Sequence, residues 1–202
     1  MERENALWLF SKFVRSPKAW ISLIIIVAIT TMAIFAPYIA PYDPMHQNLR
    51  NQLQPPVLFG GSMAHIMGTD LHGRDIFSRT IYGSRVSLTM GILSVLLAAI
   101  IGVGTGMISG FYGGRVDDIV MRGADVMLAF PPIVLAICFI ALMKPGLVTV
   151  IIVLALVTWV WHARPVRSAV LKIRELDYIT ASRAIGASNL RIILTQVFPN
   201  II

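Results

Sequence analysis

Four long apolar runs, too long and too sparsely charged for the core of a small soluble domain, constrain this chain more than any other feature. Crossing a bilayer as a helix takes about 20 consecutive apolar residues. The runs that meet this need are Ala19 to Ala36, Val86 to Ile108, Ile119 to Met143 and Gly146 to Trp161. The fourth is the shortest, but its uncharged stretch extends from Pro145 to Ala163. Its Trp159 and Trp161 suit the aromatic belt of a membrane interface, so it counts as a span. The apolar residues come in blocks and not at amphipathic spacing, which makes lipid part of the solvent. Only 13% of residues are charged, against about 25% in soluble domains. The expectation is a single all-α membrane domain with four transmembrane helices.

The net charge of +7 raises the question of nucleic acid. The basic residues flank the apolar blocks and form no dense run interleaved with aromatics, so membrane topology explains them and no nucleic-acid partner is expected. Cys138 is the single cysteine and lies inside a block, which excludes an intramolecular disulfide and a cysteine metal cluster. Arg3, Lys12, Arg15 and Lys18 precede the first block as they would a signal peptide. Its apolar part exceeds the 7 to 15 residues or so of such a segment, and an uncleaved anchor is expected. The prolines of residues 36 to 44 should then stop the helix and send the chain into an extended loop.

With the N-terminus inside, the cytoplasmic side receives four Lys or Arg before the first span. Arg115 and Arg122 join them, together with Arg164, Arg167, Lys172, Arg174, Arg183 and Arg191 after the last. The outside receives only Arg50, Arg74, Arg79, Arg85 and Lys144. This bias favours both termini inside. The resulting division is a cytoplasmic segment 1–18, a first span 19–36, an external loop 37–85 with an interfacial segment, spans two to four within 86–162, and a cytoplasmic loop 163–202.

Gly102, Gly104, Gly106 and Gly110 contain two GxxxG spacings, read as close helix packing. Phe130-Pro131-Pro132 should kink or break the third span, which fits a cavity or gate as well as simple bending. No carboxylate or histidine falls near a membrane midplane, so proton-driven transport is not expected. His46, His65 and His72 with Met45, Met63 and Met67 are irregularly spaced and are read as ordinary exposed side chains, not metal ligands. Residues 102–114 are rich in glycine but lack the lysine of a phosphate loop, and no HExxH or paired-carboxylate arrangement is present. Neither catalytic residues nor a cofactor site are expected.

After His162 the sequence turns polar and basic. Ile173, Leu176, Ile179 and Ala184 form a broken apolar face, Gly186 permits a turn, and Leu190, Ile193 and Val197 resume helical spacing. In Thr180-Ala181-Ser182, three residues, Gly186, and the closing Gln196, Phe198 and Pro199, this segment resembles the cytoplasmic loop of the membrane subunits of ABC importers. That loop has the form Glu-Ala-Ala, three residues, Gly, nine residues, Ile-x-Leu-Pro. The small residues, the glycine and the proline agree, while Thr180, Gln196 and Phe198 replace the family's Glu, Ile and Leu.

A second stretch, Met67-Gly-Thr-Asp-Leu-His-Gly-Arg-Asp75 with Ser78-Arg79 and Tyr82-Gly-Ser-Arg-Val-Ser-Leu88, resembles the signature before the second span of dipeptide, oligopeptide and nickel permeases. Its key positions are Gly68, Thr69, Asp70, Gly73, Arg74, Asp75, Arg79, Gly83 and Arg85. The Ala-Pro-Tyr-x-Ala-Pro-Tyr-Asp-Pro turn resembles the second-subunit type of that family, so the resemblance covers nearly the whole chain.

The resemblance implies the transmembrane domain of a type I ABC importer in a prokaryotic inner membrane. Thr180, Ala181, Ser182, Gly186, Ala187, Leu190 and Pro199 would belong to a coupling loop that docks on a separate ABC ATPase. It further implies a second homologous permease subunit, an extracytoplasmic solute-binding protein meeting the external loop, and peptides as cargo, with nickel or another small solute as alternatives. Family members have six spans, so a fragment ending after the loop is expected. A channel, or a scaffold anchoring a cytoplasmic partner, is the competing class.

Overall fold

A computed structural model describes residue 14 and residues 16–201. The cationic stretch from Arg3 to Arg15 lies outside the described residues. Two compact units divide between Thr89 and Met90 and are taken separately.

In the first unit, α1 (Pro17–Ile34) has proline in its first turn, where the missing N–H would have had no intrahelical partner anyway. Ala33 is its one buried residue, while Ile24 and Ile26 are each more than 60% exposed. A helix apolar on all sides and so little covered by its own chain has lipid as its solvent. The proline stretch does not end the helical path at residue 36 as expected. A further short turn, α2 (Ala36–Ile39), accommodates Pro37 near its start, and extended backbone begins only at Ala40.

The separate interfacial segment expected before residue 86 is replaced by one continuous helix, α3 (Ile76–Tyr112, 37 residues). At about 1.5 Å per residue it reaches some 55 Å, well beyond a hydrocarbon core of about 30 Å. It starts early because Asp75 caps it: Asp75 Oδ2 accepts the Ser78 N–H at 2.7 Å. Arg79 and Arg85 sit on its exposed surface and leave the helix uninterrupted.

In the second unit the third span is not straight. α4 (Gly114–Leu128) and α5 (Pro132–Leu142) meet at 95°. Pro131 and Pro132 remove two backbone donors at the junction, the physical reason for the break. The fourth span also exceeds its expected end: α6 runs from Leu147 to Ile173 and carries Pro165 internally. Tertiary packing offsets the lost hydrogen bond, because Val160, Ala163 and Val170 flank the proline and are buried. α3 packs here through glycines. A methyl on Gly102 would lie 2.4 Å from the Trp159 carbonyl oxygen, and one on Gly106 would lie 2.5 Å from that of Ala163. Gly110 similarly faces Val170, whereas Gly104 looks into open space. Among the described residues three helices are long and apolar enough to cross a membrane, or four if α4 and α5 together make one span.

Candidate functional site

After α6 the chain forms a compact hairpin. α7 (Asp177–Ala184) places Asp177 at its positive end and Arg183 in its last turn, both favourable to the helix dipole. Gly186 adopts φ +85°, and a side chain there would meet no neighbour within 4 Å, so the backbone conformation and not space calls for glycine. The amides of Gly186 and Ala187 donate to the Arg183 and Ser182 carbonyls, both at 3.0 Å. Ser188 Oγ then accepts the Arg191 N–H and opens α8 (Asn189–Ile192). A π-helical turn, Ile193–Val197, and a tighter turn, Phe198–Asn200, complete the segment.

Ile179, Ile192, Ile193 and Val197 form one buried cluster with Phe111 of α3 and Val170 of α6. Arg183 reinforces this attachment, its guanidinium lying 5.0 Å from the Phe111 ring centre. Gln196 Nε2 donates to Ser182 Oγ at 2.8 Å, tying the second arm of the hairpin to the first. The apolar face read from the sequence is thus corrected: Leu176, Ala184 and Leu190 are exposed, and Ile192 takes a core position.

Most of the expected loop residues are exposed: Thr180, Ala181, Gly186, Leu190 and Pro199 are open to solvent, with Ser182 and Ala187 half-buried. Beside them Ile185, at 86% exposure, and Leu194 present apolar surface. A cleft of about 250 Å³ lies among Ser182, Ile185, Gly186, Ala187, Arg191 and Gln196.

The other expected set builds a lobe in the first unit. Gly68 and Gly73 have φ of +75° and +70°, and methyls there would fall 2.3 Å from the Gln54 carbonyl oxygen and 1.8 Å from that of Asn48. These glycines allow residues 67–75 to lie directly on segment 48–54. Thr69 N–H donates to the Gln54 carbonyl at 3.1 Å, and Thr69 Oγ1 receives the Gln54 N–H at 3.0 Å.

Asp70 is the organising carboxylate. It accepts the amides of His72 and Arg74 at 2.8 and 3.0 Å, Arg74 Nε at 2.8 Å, and a guanidinium N–H of Arg79. Burial pushes its pKa up, but the Arg74 and His72 amides and the Arg74 guanidinium outweigh that and hold it well below the usual carboxylate range. Gly83 and Arg85 stand apart from this network, both exposed on α3.

His65 corrects the reading of the external histidines. It is 8% exposed, its Nδ1 hydrogen-bonds Asp75 Oδ1 at 3.0 Å, and its ring lies 4.9 Å from that of Tyr42. Met45, Met63 and His72 are exposed as expected. Among the described residues no cluster of three His, Cys, Asp or Glu could hold one metal ion.

The sequence reading did not foresee that Asp117 and Asp125 of α4 pair with Arg167 and Arg164 of α6. Their separation of eight residues, about two helical turns, puts both aspartates on one helix face and was the available signal.

This fold is that of a polytopic α-helical membrane protein. Residues 102–202 match the family described as binding-protein-dependent transport system inner membrane component, and residues 7–56 match the N-terminal transmembrane domain of oligopeptide transport permease C. The chain belongs to the family of binding-protein-dependent transport system inner membrane components, a family of transport permeases. It is 40% identical over 194 residues to a dipeptide transport system permease protein of Haemophilus influenzae, covering 96% of this chain and 65% of that one. An oligopeptide transport system permease protein of Bacillus subtilis is 41% identical over 189 residues, covering 94% of this chain and 60% of that one. A glutathione transport system permease protein of Pectobacterium atrosepticum is 37% identical over 188 residues, covering 93% and 61%. The chain spans less than two thirds of the length of these relatives.

Proposed function

We propose that this chain is a membrane permease subunit of an ATP-driven importer, lining part of the path for di- or oligopeptides and taking its energy from a separate ABC ATPase. The observation that carries the reading is the hairpin. Its inner face is anchored in the Phe111–Val170–Ile179 cluster, while its outer face leaves Ala181, Gly186, Ile185 and Leu190 uncovered. Small residues beside exposed apolar ones, on a rigidly backed turn, suit docking into a groove on another protein.

Thr180, Ala181, Ser182, Gly186, Ala187, Leu190 and Pro199 belong to that docking surface in this reading. The lobe built on Gly68, Thr69, Asp70, Gly73, Arg74, Asp75 and Arg79 would be the rigid external platform that an extracytoplasmic binding protein meets, with Gly83 and Arg85 beyond it on α3. A second homologous permease subunit completes the path. The chain lies in a prokaryotic inner membrane with residues 1–18 and 163–202 in the cytoplasm and residues 37–85 outside, and it performs no hydrolysis itself. Relatives named for dipeptide, oligopeptide and glutathione transport support peptides as the cargo class.

The test is co-expression with the partner ATPases and capture of the assembled complex. Ala181 is exposed, so Ala181→Glu leaves the fold intact, yet it should reduce ATPase capture by about tenfold or more, as a desolvated charge at an interface core does. Undiminished assembly and uptake in this variant would overturn the reading.

A further inference from the structure

α4 is attached to its neighbours in an unusual way. It carries Arg115, Asp117, Asp118, Arg122 and Asp125 within 15 residues, and Ala124 is its one buried residue. No broad apolar seam therefore holds it. The α3–α6 contact is quite different, since the glycines bring those backbones together along three successive turns. The hairpin is likewise cemented to the ends of α3 and α6 by the buried cluster, and Arg174 Nη1 ties α6 to the Gly110 carbonyl of α3 at 3.0 Å. A force on the hairpin thus reaches α3 and α6 directly, whereas α4 continues from α3 only through the Gly113–Gly114 turn, where both glycines have positive φ, and has no buried apolar seam of its own.

Two ion pairs fill that gap. Arg167 grips Asp117 with both arms of its guanidinium, Nε lying 2.5 Å from Oδ1 and Nη2 bonding Oδ2. The aspartate side chain is 14% exposed and the arginine 31%. Farther along, Arg164 Nη2 meets Asp125 Oδ1 at 2.5 Å, a more exposed rung. The planar fork of a bidentate arginine fixes orientation as well as distance, which a single ammonium would not. The rungs flank Ala124 in sequence: Asp117 sits in the first turn of α4, Asp125 in its last turn just before the 95° bend, and both arginines lie on the last part of α6 before the hairpin.

We infer that Arg167 and Asp117, supported by Arg164 and Asp125, form a clamp that makes α4 follow α6, so that motion imposed on the hairpin is delivered to the bent α4–α5 junction. These are positioning residues: they determine whether α4 moves with α6, to which α5 is packed directly. The coupling role rests on the importer reading above, whereas the clamp itself does not.

Two measurements separate these levels. In the purified full chain, hydrogen exchange over Gly114–Leu128 should rise by about tenfold or more in Asp117→Arg, while the Val153–Val160 segment of α6 keeps its protection. The exchanged pair Asp117→Arg with Arg167→Asp should restore protection of α4. Unchanged exchange in Asp117→Arg, or a double variant no better than the single one, overturns the clamp whatever the partners do. In the assembled complex, peptide taken up per ATP hydrolysed should fall about tenfold in Asp117→Arg with ATPase capture unchanged, and should recover in the exchanged pair. Loosened α4 with unaltered uptake per ATP overturns the coupling role and leaves the clamp standing. A wild-type complex without ATP-dependent uptake sinks the importer reading and the coupling role with it, and exchange still decides the clamp.

Discussion

Asp70 and Gly186 show how much one residue decides when the backbone around it is tight. The Asp70 carboxylate closes the lobe of residues 48–75 by accepting two amides and two guanidinium groups. Its pKa in the fold lies below the ordinary value of 3.8. Its stabilising contribution is therefore fully present above that value and is lost as the pH falls below it toward the folded value. Hydrogen-exchange protection of residues 68–75, corrected for intrinsic rates, should accordingly drop as the pH falls below about 4. Asp70→Asn should show weaker protection at neutral pH and little further change with acid, and a parallel profile for the two proteins would remove Asp70 from this role. The signature that contains Asp70 was legible as a string of residues. Its division into a buried core of Gly68, Thr69, Gly73 and Asp75 and an outlying Gly83 and Arg85 was not, because that depends on which backbone crosses at segment 48–54. His65 was misread for the same reason: Tyr42 and Asp75, distant in sequence, bury it.

Among the elements, α3 and α6 carry the second unit, and their contact is the clearest case where spacing alone told the truth. The repeat at Gly102, Gly106 and Gly110 does face a neighbouring helix, and Gly104 does not. Gly106→Val should consequently destabilise the protein by about 1–3 kcal/mol, since the added atoms have nowhere to go. Gly104→Ala should be neutral or stabilising by up to about 1 kcal/mol, because its surroundings are open and alanine is the better helix former. Thermal unfolding in detergent compares the two, and equal losses would mean that the packing asymmetry is not what stabilises the pair. Element ends were harder to read. α3 begins ten residues early because the Asp75 cap and the exposure of Arg79 and Arg85 let a polar stretch continue a membrane helix. α6 passes through Pro165 because buried neighbours offset one missing hydrogen bond. Local signals mark where a helix is free to stop, and packing settles whether it does.

On the scale of the whole molecule the bent α4–α5 pair controls topology. α5 has 11 residues, or about 16 Å of helix, too short for a hydrocarbon core of about 30 Å. α3 and α6 run parallel, Gly102 facing Trp159 and Gly110 facing Val170, and the hairpin packs on Phe111 at the end of α3. α4 and α5 together therefore make the return crossing, and with α1 and α3 each crossing, an N-terminus inside puts the hairpin inside as well. In a Cys138→Ser background, Ser188→Cys should be shielded from a membrane-impermeant maleimide in intact cells and labelled in inverted vesicles, with Ser62→Cys behaving oppositely. Labelling of Ser188→Cys from outside would refute both the topology and the docking role. By itself the sequence determined the solvent of this protein, the number of apolar runs, the glycine-turn hairpin and the family resemblance, all of which depend on composition or on residues close in the chain. Tertiary structure alone decided the 95° angle at the break that Pro131 and Pro132 foretell, the burial of His65 and the pairing of Asp117 with Arg167. Each of these rests on groups brought together from distant parts of the chain, or on an angle between helices, and neither is set by local spacing.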